Sequence, residues 1–77
     1  MTTTYYHIDR RDNVANHIPP SPAGDLTPLD AYEWMFGLGD VAYCYDVTEW
    51  CRYEDGDEQI ESITDGDEFL AKGEPQA

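Results

Sequence analysis

Eight carboxylates in fifteen residues, with no Lys, Arg or His among them, run from Glu54 to Glu68 and set the strictest limit on how this chain folds. They are Glu54, Asp55, Asp57, Glu58, Glu61, Asp65, Asp67 and Glu68, and only Ile60 and Ile63 add apolar weight. Like charges at this density repel. The stretch therefore costs folding stability unless solvent, cations or a basic partner offset it.

The rest of the chain must supply the core. Seventy-seven residues make one domain, with an ordered body over about 3–72. A chain this short buries roughly 60% of its unfolded surface, so its core is small. Ten aromatic residues, among them Trp34, Trp50, Phe36 and Phe69, are still too many for a disordered tail. The formal charge is -13, and it is unevenly spread. Residues 1–39 hold five acids and two bases, net -3, whereas 40–77 hold twelve acids and two bases, net -10. Direct binding to nucleic acid or to an anionic membrane is disfavoured, because both need Lys and Arg to neutralise phosphates. A basic protein surface is the natural partner. Met1–Arg11 has no apolar core of a secretory signal, no apolar run approaches a membrane span, and a cytoplasmic, reduced setting is expected. Cys44 and Cys51 make no disulfide framework, although one bridge across a tight hairpin stays open.

Along the chain, Thr3–Ile8 is rich in β-branched and aromatic residues and reads as a strand, followed by a polar turn at Asp9–Asn13. Pro19-Pro20-Ser21-Pro22 forbids helix and makes 19–26 an extended loop. Thr27-Pro28 is the clearest helix start: Thr27 caps, Pro28 takes the first position, and Gly37 supplies the stop. The spacing of Leu29, Tyr32 and Phe36, with Met35 at the edge, predicts a helix over Pro28–Phe36 that packs on a sheet through that face. Val41, Tyr43, Tyr45 and Val47 alternate with Ala42, Cys44 and Asp46. This pattern predicts a strand with a bend or bulge near Asp46–Thr48 and a second strand through Tyr53; a short helix from Thr48 is the alternative. Glu54–Asp57 reads as a turn with Gly56 at positive φ, and Gln59–Thr64 as a strand in which Ile60 and Ile63 have opposite parity. Asp65-Gly66 suits either a hairpin turn or, preferably, the cap of a short helix ending at Gly73, with 74–77 frayed. The expected fold is α+β: a small antiparallel sheet of three to four strands, one central helix packed on it, and a possible short C-terminal helix.

Motifs that carry chemistry are missing. Counting back from Gly56 or Gly66 puts Cys51 or Glu61 first and Tyr53 or Ile63 third in a calcium-loop register, and both fail. His7, His17, Cys44 and Cys51 match no close-paired zinc spacing. No nucleophile elbow or phosphate loop exists, so neither an enzyme nor a bound cofactor is expected. The acidic run itself has two bland readings, solubility and halophilic adaptation. Its functional reading is imitation of a polyanion, since carboxylates alternating along a strand lie about 6.6 Å apart on one face. Trp50 and Tyr53, beside the run, suit stacking on a partner's Arg side chains.

Short, aromatic-rich, very acidic and free of catalytic motifs, the chain resembles in overall character the small phage-encoded inhibitors that occupy DNA-binding sites, such as anti-CRISPR and anti-restriction proteins. The resemblance implies a cytoplasmic inhibitor, made in an infected bacterium, that blocks a nuclease or surveillance complex as a DNA mimic. The expected partner-binding set is Glu54, Asp55, Asp57, Glu58, Glu61, Asp65, Asp67 and Glu68, with Asp46, Glu49, Trp50 and Tyr53. The partner is a basic nucleic-acid-binding protein or complex, and the protein itself a monomer or small homo-oligomer. The rival reading is a structural or adaptor protein that binds through an aromatic helix face near Trp34 and Phe36.

Overall fold

A run of β-branched and aromatic residues builds the first strand, β1 (Thr3–Arg10), which runs two residues past its predicted end. The computed structural model of the chain describes residues 2–75; of the tail expected to fray, 76 and 77 lie outside it. Strand β2 (Tyr45–Arg52) pairs antiparallel with β1, and β3 (Glu58–Asp65) pairs antiparallel with β2, so the sheet has the order β1-β2-β3. Helix α1 (Pro28–Phe36), a 3-10 helix (Gly39–Cys44) and helix α2 (Gly66–Ala71) complete an α+β domain.

Residues opposite each other on an antiparallel ladder share a face, so the register sorts the sheet into two sides. Tyr6 and Ile8 share one side with Tyr45, Val47, Glu49 and Cys51; Tyr5, His7 and Asp9 share the other with Asp46, Thr48, Trp50 and Arg52. The helices cover the first side. Ile8, Tyr45 and Val47 meet Ala31 and Met35 of α1, Ala42 and Cys44 of the 3-10 helix, Phe69 of α2, and Ile18 from the loop between β1 and α1. The second side carries no helix among the described residues.

Helix α1 has the predicted bounds and cap: Thr27 Oγ1 accepts from the Asp30 N–H at 3.2 Å, and Pro28 opens the helix. Its buried face is rotated from the one expected. Ala31 and Met35 are fully buried, while Leu29 and Phe36 are 41% and 66% exposed. The small Ala31 lets the helix approach the sheet closely, and Tyr32 and Phe36 stack on each other outside. The turn after the helix also differs. Gly37 keeps a right-handed φ of -66°, and the left-handed residue is Gly39, at +62°.

The strand expected from Val41 is instead the 3-10 helix up to Cys44. Period-two alternation there loses to tertiary packing, because α2 begins against this segment. A Cβ on Gly66 would collide with the Ala42 carbonyl and lie 2.8 Å from Met35 Sδ. The chain must turn Ala42 inward, and Tyr43 is left 55% exposed. The strand then runs unbroken from Tyr45 to Arg52 with no helix from Thr48. The bend or bulge expected near Asp46–Thr48 is absent from β2, and the register shift falls between Glu49 and Trp50 with its extra residue on β3. At the C-terminal end Asp65 caps α2, accepting from the Glu68 N–H at 2.8 Å, so the helix reading of 65–72 holds over the hairpin turn.

The Pro-rich loop is extended and pinned at both flanks. Arg10 Nη1 donates to the Ile18 carbonyl at 2.5 Å, the buried Tyr45 hydroxyl donates to the Pro19 carbonyl, and Leu26 bridges to Tyr6 through two backbone bonds of 2.8 and 2.9 Å. Cys44 and Cys51 are buried free thiols. Seven residues of nearly continuous strand hold them roughly 23 Å apart, far beyond bridging distance.

Candidate partner-binding surface

The β2–β3 hairpin gathers the acidic run. Its turn closes with a bond from the Tyr53 N–H to the Asp57 carbonyl at 2.8 Å, and Asp55 Oδ1 accepts from the Asp57 N–H at 3.0 Å. Residues 52–61 are all exposed. The radius of gyration, 12.7 Å, exceeds the roughly 11.5 Å typical of a domain of this length, and the molecule is elongated, 41 × 24 × 17 Å.

Within β3 the ladder is broken once. Glu49 pairs with Ser62 and Trp50 with Ile60, so Glu61 is an extra residue bulged out of the strand. The bulge reverses the parity argument drawn from the sequence. Ile60 lies opposite Trp50 and Ile63 opposite Thr48, and both therefore stand on the uncovered side. The alternating carboxylate array is consequently absent from β3. Its acids fall at 58, 61 and 65, and the interior of the strand shows isoleucine to solvent.

The carboxylates instead collect at two ends. Glu54, Asp55, Asp57 and Glu58 occupy the hairpin tip. At the far end the register sets Asp9, Asp46 and Asp65 side by side on the three strands, with Asp67 and Glu68 following on α2. Like charges directly opposite are destabilising. Arg11 answers them: its Nη2 and Nε contact Asp46 Oδ1 at 2.8 and 3.0 Å, and its pKa is raised by the Asp46 bond first, with Asp65 adding to it. Asp9, Asp25 and Arg11 escaped the sequence reading; a β1–β2 register would have placed Asp9, whereas nothing local marks Asp25.

Asp25 reaches the uncovered side from the Pro-rich loop and ends a chain of charges. Arg52 Nη2 contacts Glu58 at 2.7 Å and Asp25 at 3.3 Å, and Asp25 lies 2.6 Å from His7 Nε2. The bond from His7, then that from Arg52, hold the Asp25 carboxyl below its ordinary range. The Arg52 guanidinium sits 4.8 Å over the Tyr5 ring, which stacks in turn on Trp50 with centroids 6.2 Å apart. Trp50 is thus half-buried on the sheet face, and Tyr53 donates to Glu61 Oε1 at 3.0 Å, which pushes its hydroxyl up to about 12.

Glu49 stands apart from the other candidates. It lies on the helix side, where Tyr6 and Ser62 hydroxyls donate to it at 3.3 and 3.4 Å. Asp55 and Asp65 spend one carboxylate oxygen each on a turn and a helix cap. The helix-face alternative loses an anchor, since Trp34 packs edge-on against the buried Tyr45 at 5.2 Å. Among the described residues no group of three or more His, Cys, Asp or Glu is arranged to hold a metal ion, and no helix is long and apolar enough to cross a membrane. No protein-family model, curated protein or solved structure matches the chain.

Proposed function

We propose that the protein binds a cationic groove of a nucleic-acid-binding protein and inhibits it by occupying the place of the nucleic acid. The observation that supports this reading is the segregation of charge. Ten of the seventeen acids, against the single base Arg52, lie in the β2–β3 hairpin and the start of α2, whereas residues 1–39 carry a net charge of -3. Two carboxylate clusters at the ends of a hairpin whose β2 strand is paired along its length to β1 give an anionic surface with little ordering cost on binding. In its most specific form the target is a defence nuclease or surveillance complex that grips DNA through Lys and Arg. Association is fast and weakens with salt, because steering is screened over about 10 Å at 0.1 M ionic strength.

Affinity capture from bacterial lysate at low salt tests it. The expected catch is a nucleic-acid-binding protein that added duplex DNA releases. The triple variant Asp57→Asn, Asp67→Asn, Glu68→Gln spares the turn cap, the Arg52 pair and the α2 cap, and should retain far less of that protein. A catch that stays bound in excess DNA, or that the triple variant holds equally well, would refute the proposal.

A further inference from the structure

The uncovered side of the sheet presents an apolar strip between two acidic ends. Ile60 is 45% and Ile63 63% exposed, beside half-buried Trp50 and Thr48. The Glu61 bulge aligns the two isoleucines, which a regular strand would point to opposite sides. At one end Asp9, Asp46 and Asp65 outnumber Arg11; at the other, Glu58 and Asp25 outnumber Arg52, with the turn acids beyond.

We infer that this side seats one basic amphipathic helix of the partner, its apolar stripe on Ile60, Ile63 and Trp50 and its Lys or Arg residues over the two acidic ends. The inference rests on the groove-binding reading above and names the chemistry of the element that enters contact. Dimensions fit a single helix. Trp50 and Thr48 on β2 and Ile60 and Ile63 on β3 form a two-strand seat about 4.8 Å between backbones, bounded along β1 by Asp25 and the Tyr5–Arg52 pair. One helix about 10 Å across covers it. From Asp46 to Arg52 the strip runs about 20 Å, or some 13 residues of helix at 1.5 Å rise. Charge selects against the other occupants. A second copy laid face to face sets acid on acid in either orientation, at a formal -13 on each chain. A nucleic acid is repelled for the same reason.

The test uses a synthetic 14-residue helical peptide with a Leu stripe at helical spacing and Lys at both ends, and a control of identical composition with the stripe scrambled. Methyl resonances of Ile60 and Ile63 and the Trp50 indole report contact. The striped peptide should shift them and bind at least tenfold more tightly than the control. Ile60→Ser with Ile63→Ser, both at exposed positions and checked for folding by circular dichroism, should abolish that difference. Equal binding of both peptides, unchanged by the serine variant and lost in salt, overturns the helix seat and leaves the groove reading standing. Binding of neither peptide overturns the seat as well, while release of the captured protein by DNA judges the groove reading separately. Sedimentation of the protein alone as a dimer that the serine variant dissolves assigns the face to a second copy and also refutes the inference.

Discussion

Gly66 shows how much one missing methylene can control. The start of α2 lies against the backbone of the 3-10 helix, and a carbonyl oxygen cannot swing aside as a side-chain tip can. Gly66→Ala should therefore destabilise the fold by about 1–3 kcal/mol, the range for overpacking. Denaturation midpoints check this; a change under about 0.5 kcal/mol would mean that α2 re-docks freely. Two hydroxyl and carboxyl groups give separate tests. Because Asp25 has its folded pKa depressed, its bonds to His7 and Arg52 stabilise the fold fully above its ordinary value near 3.8 and lose that contribution as pH falls through the lower folded value. Asp25→Asn should flatten the loss of stability in that acid range, as urea melts at stepped pH would reveal. Tyr53 shifts the other way. Its contribution is present below pH 10 and disappears as pH rises through about 12, so Glu61→Gln should return one tyrosine toward 10 in an ultraviolet titration.

The bulge makes its own prediction at the level of the strand. Deleting Glu61 leaves Ile60, Ser62 and Ile63 in plain alternation, with 60 and 63 still opposite Trp50 and Thr48. Both isoleucines should stay on the uncovered side, seen as nuclear Overhauser contacts from Ile60 to Trp50, and the edge should flatten. An Ile60 found among the helix-side residues would show that the register depends on something else. How much of this was legible in the chain follows from which signals are local. The Thr27 cap, Pro28 and the Asp65 cap act within one turn of backbone, and both helices lie where those residues put them. β1 follows its β-branched and aromatic residues, and β3 the stretch after the Glu54–Asp57 turn, although Ile60 and Ile63 do not alternate. The segment 39–44 was illegible because its conformation answers to Gly66, more than twenty residues later. The buried stripe of α1 was misread for a related reason: large apolar residues marked a face, whereas close packing selected Ala31.

Over the whole molecule, the position of the acidic run was legible and its texture was not. Counting charges locates the hairpin as the anionic part. It cannot show that one bulge replaces an acidic row with isoleucine, or that Asp9, thirty-seven residues before Asp46, stands beside it. Cross-strand neighbours are set by register, and register depends on the whole sheet. The Asp9–Asp46–Asp65 row is thus the clearest place where the fold accepts repulsion, and its strength is measurable. Arg11 reaches Asp46 directly and feels Asp65, while Asp9 has none of the ion pairs described above. Asp9→Asn should therefore stabilise the protein by about 0.3 kcal/mol at low salt, in the range for opposed cross-strand charges. In 1 M salt the screening length falls to about 3 Å and the gain should vanish. Urea, being uncharged, allows the comparison at both ionic strengths. A variant that is less stable at low salt would mean that Arg11 serves Asp9 more than it serves Asp46. The row would then be a satisfied network, with less negative potential left to attract a cationic partner at that end of the sheet.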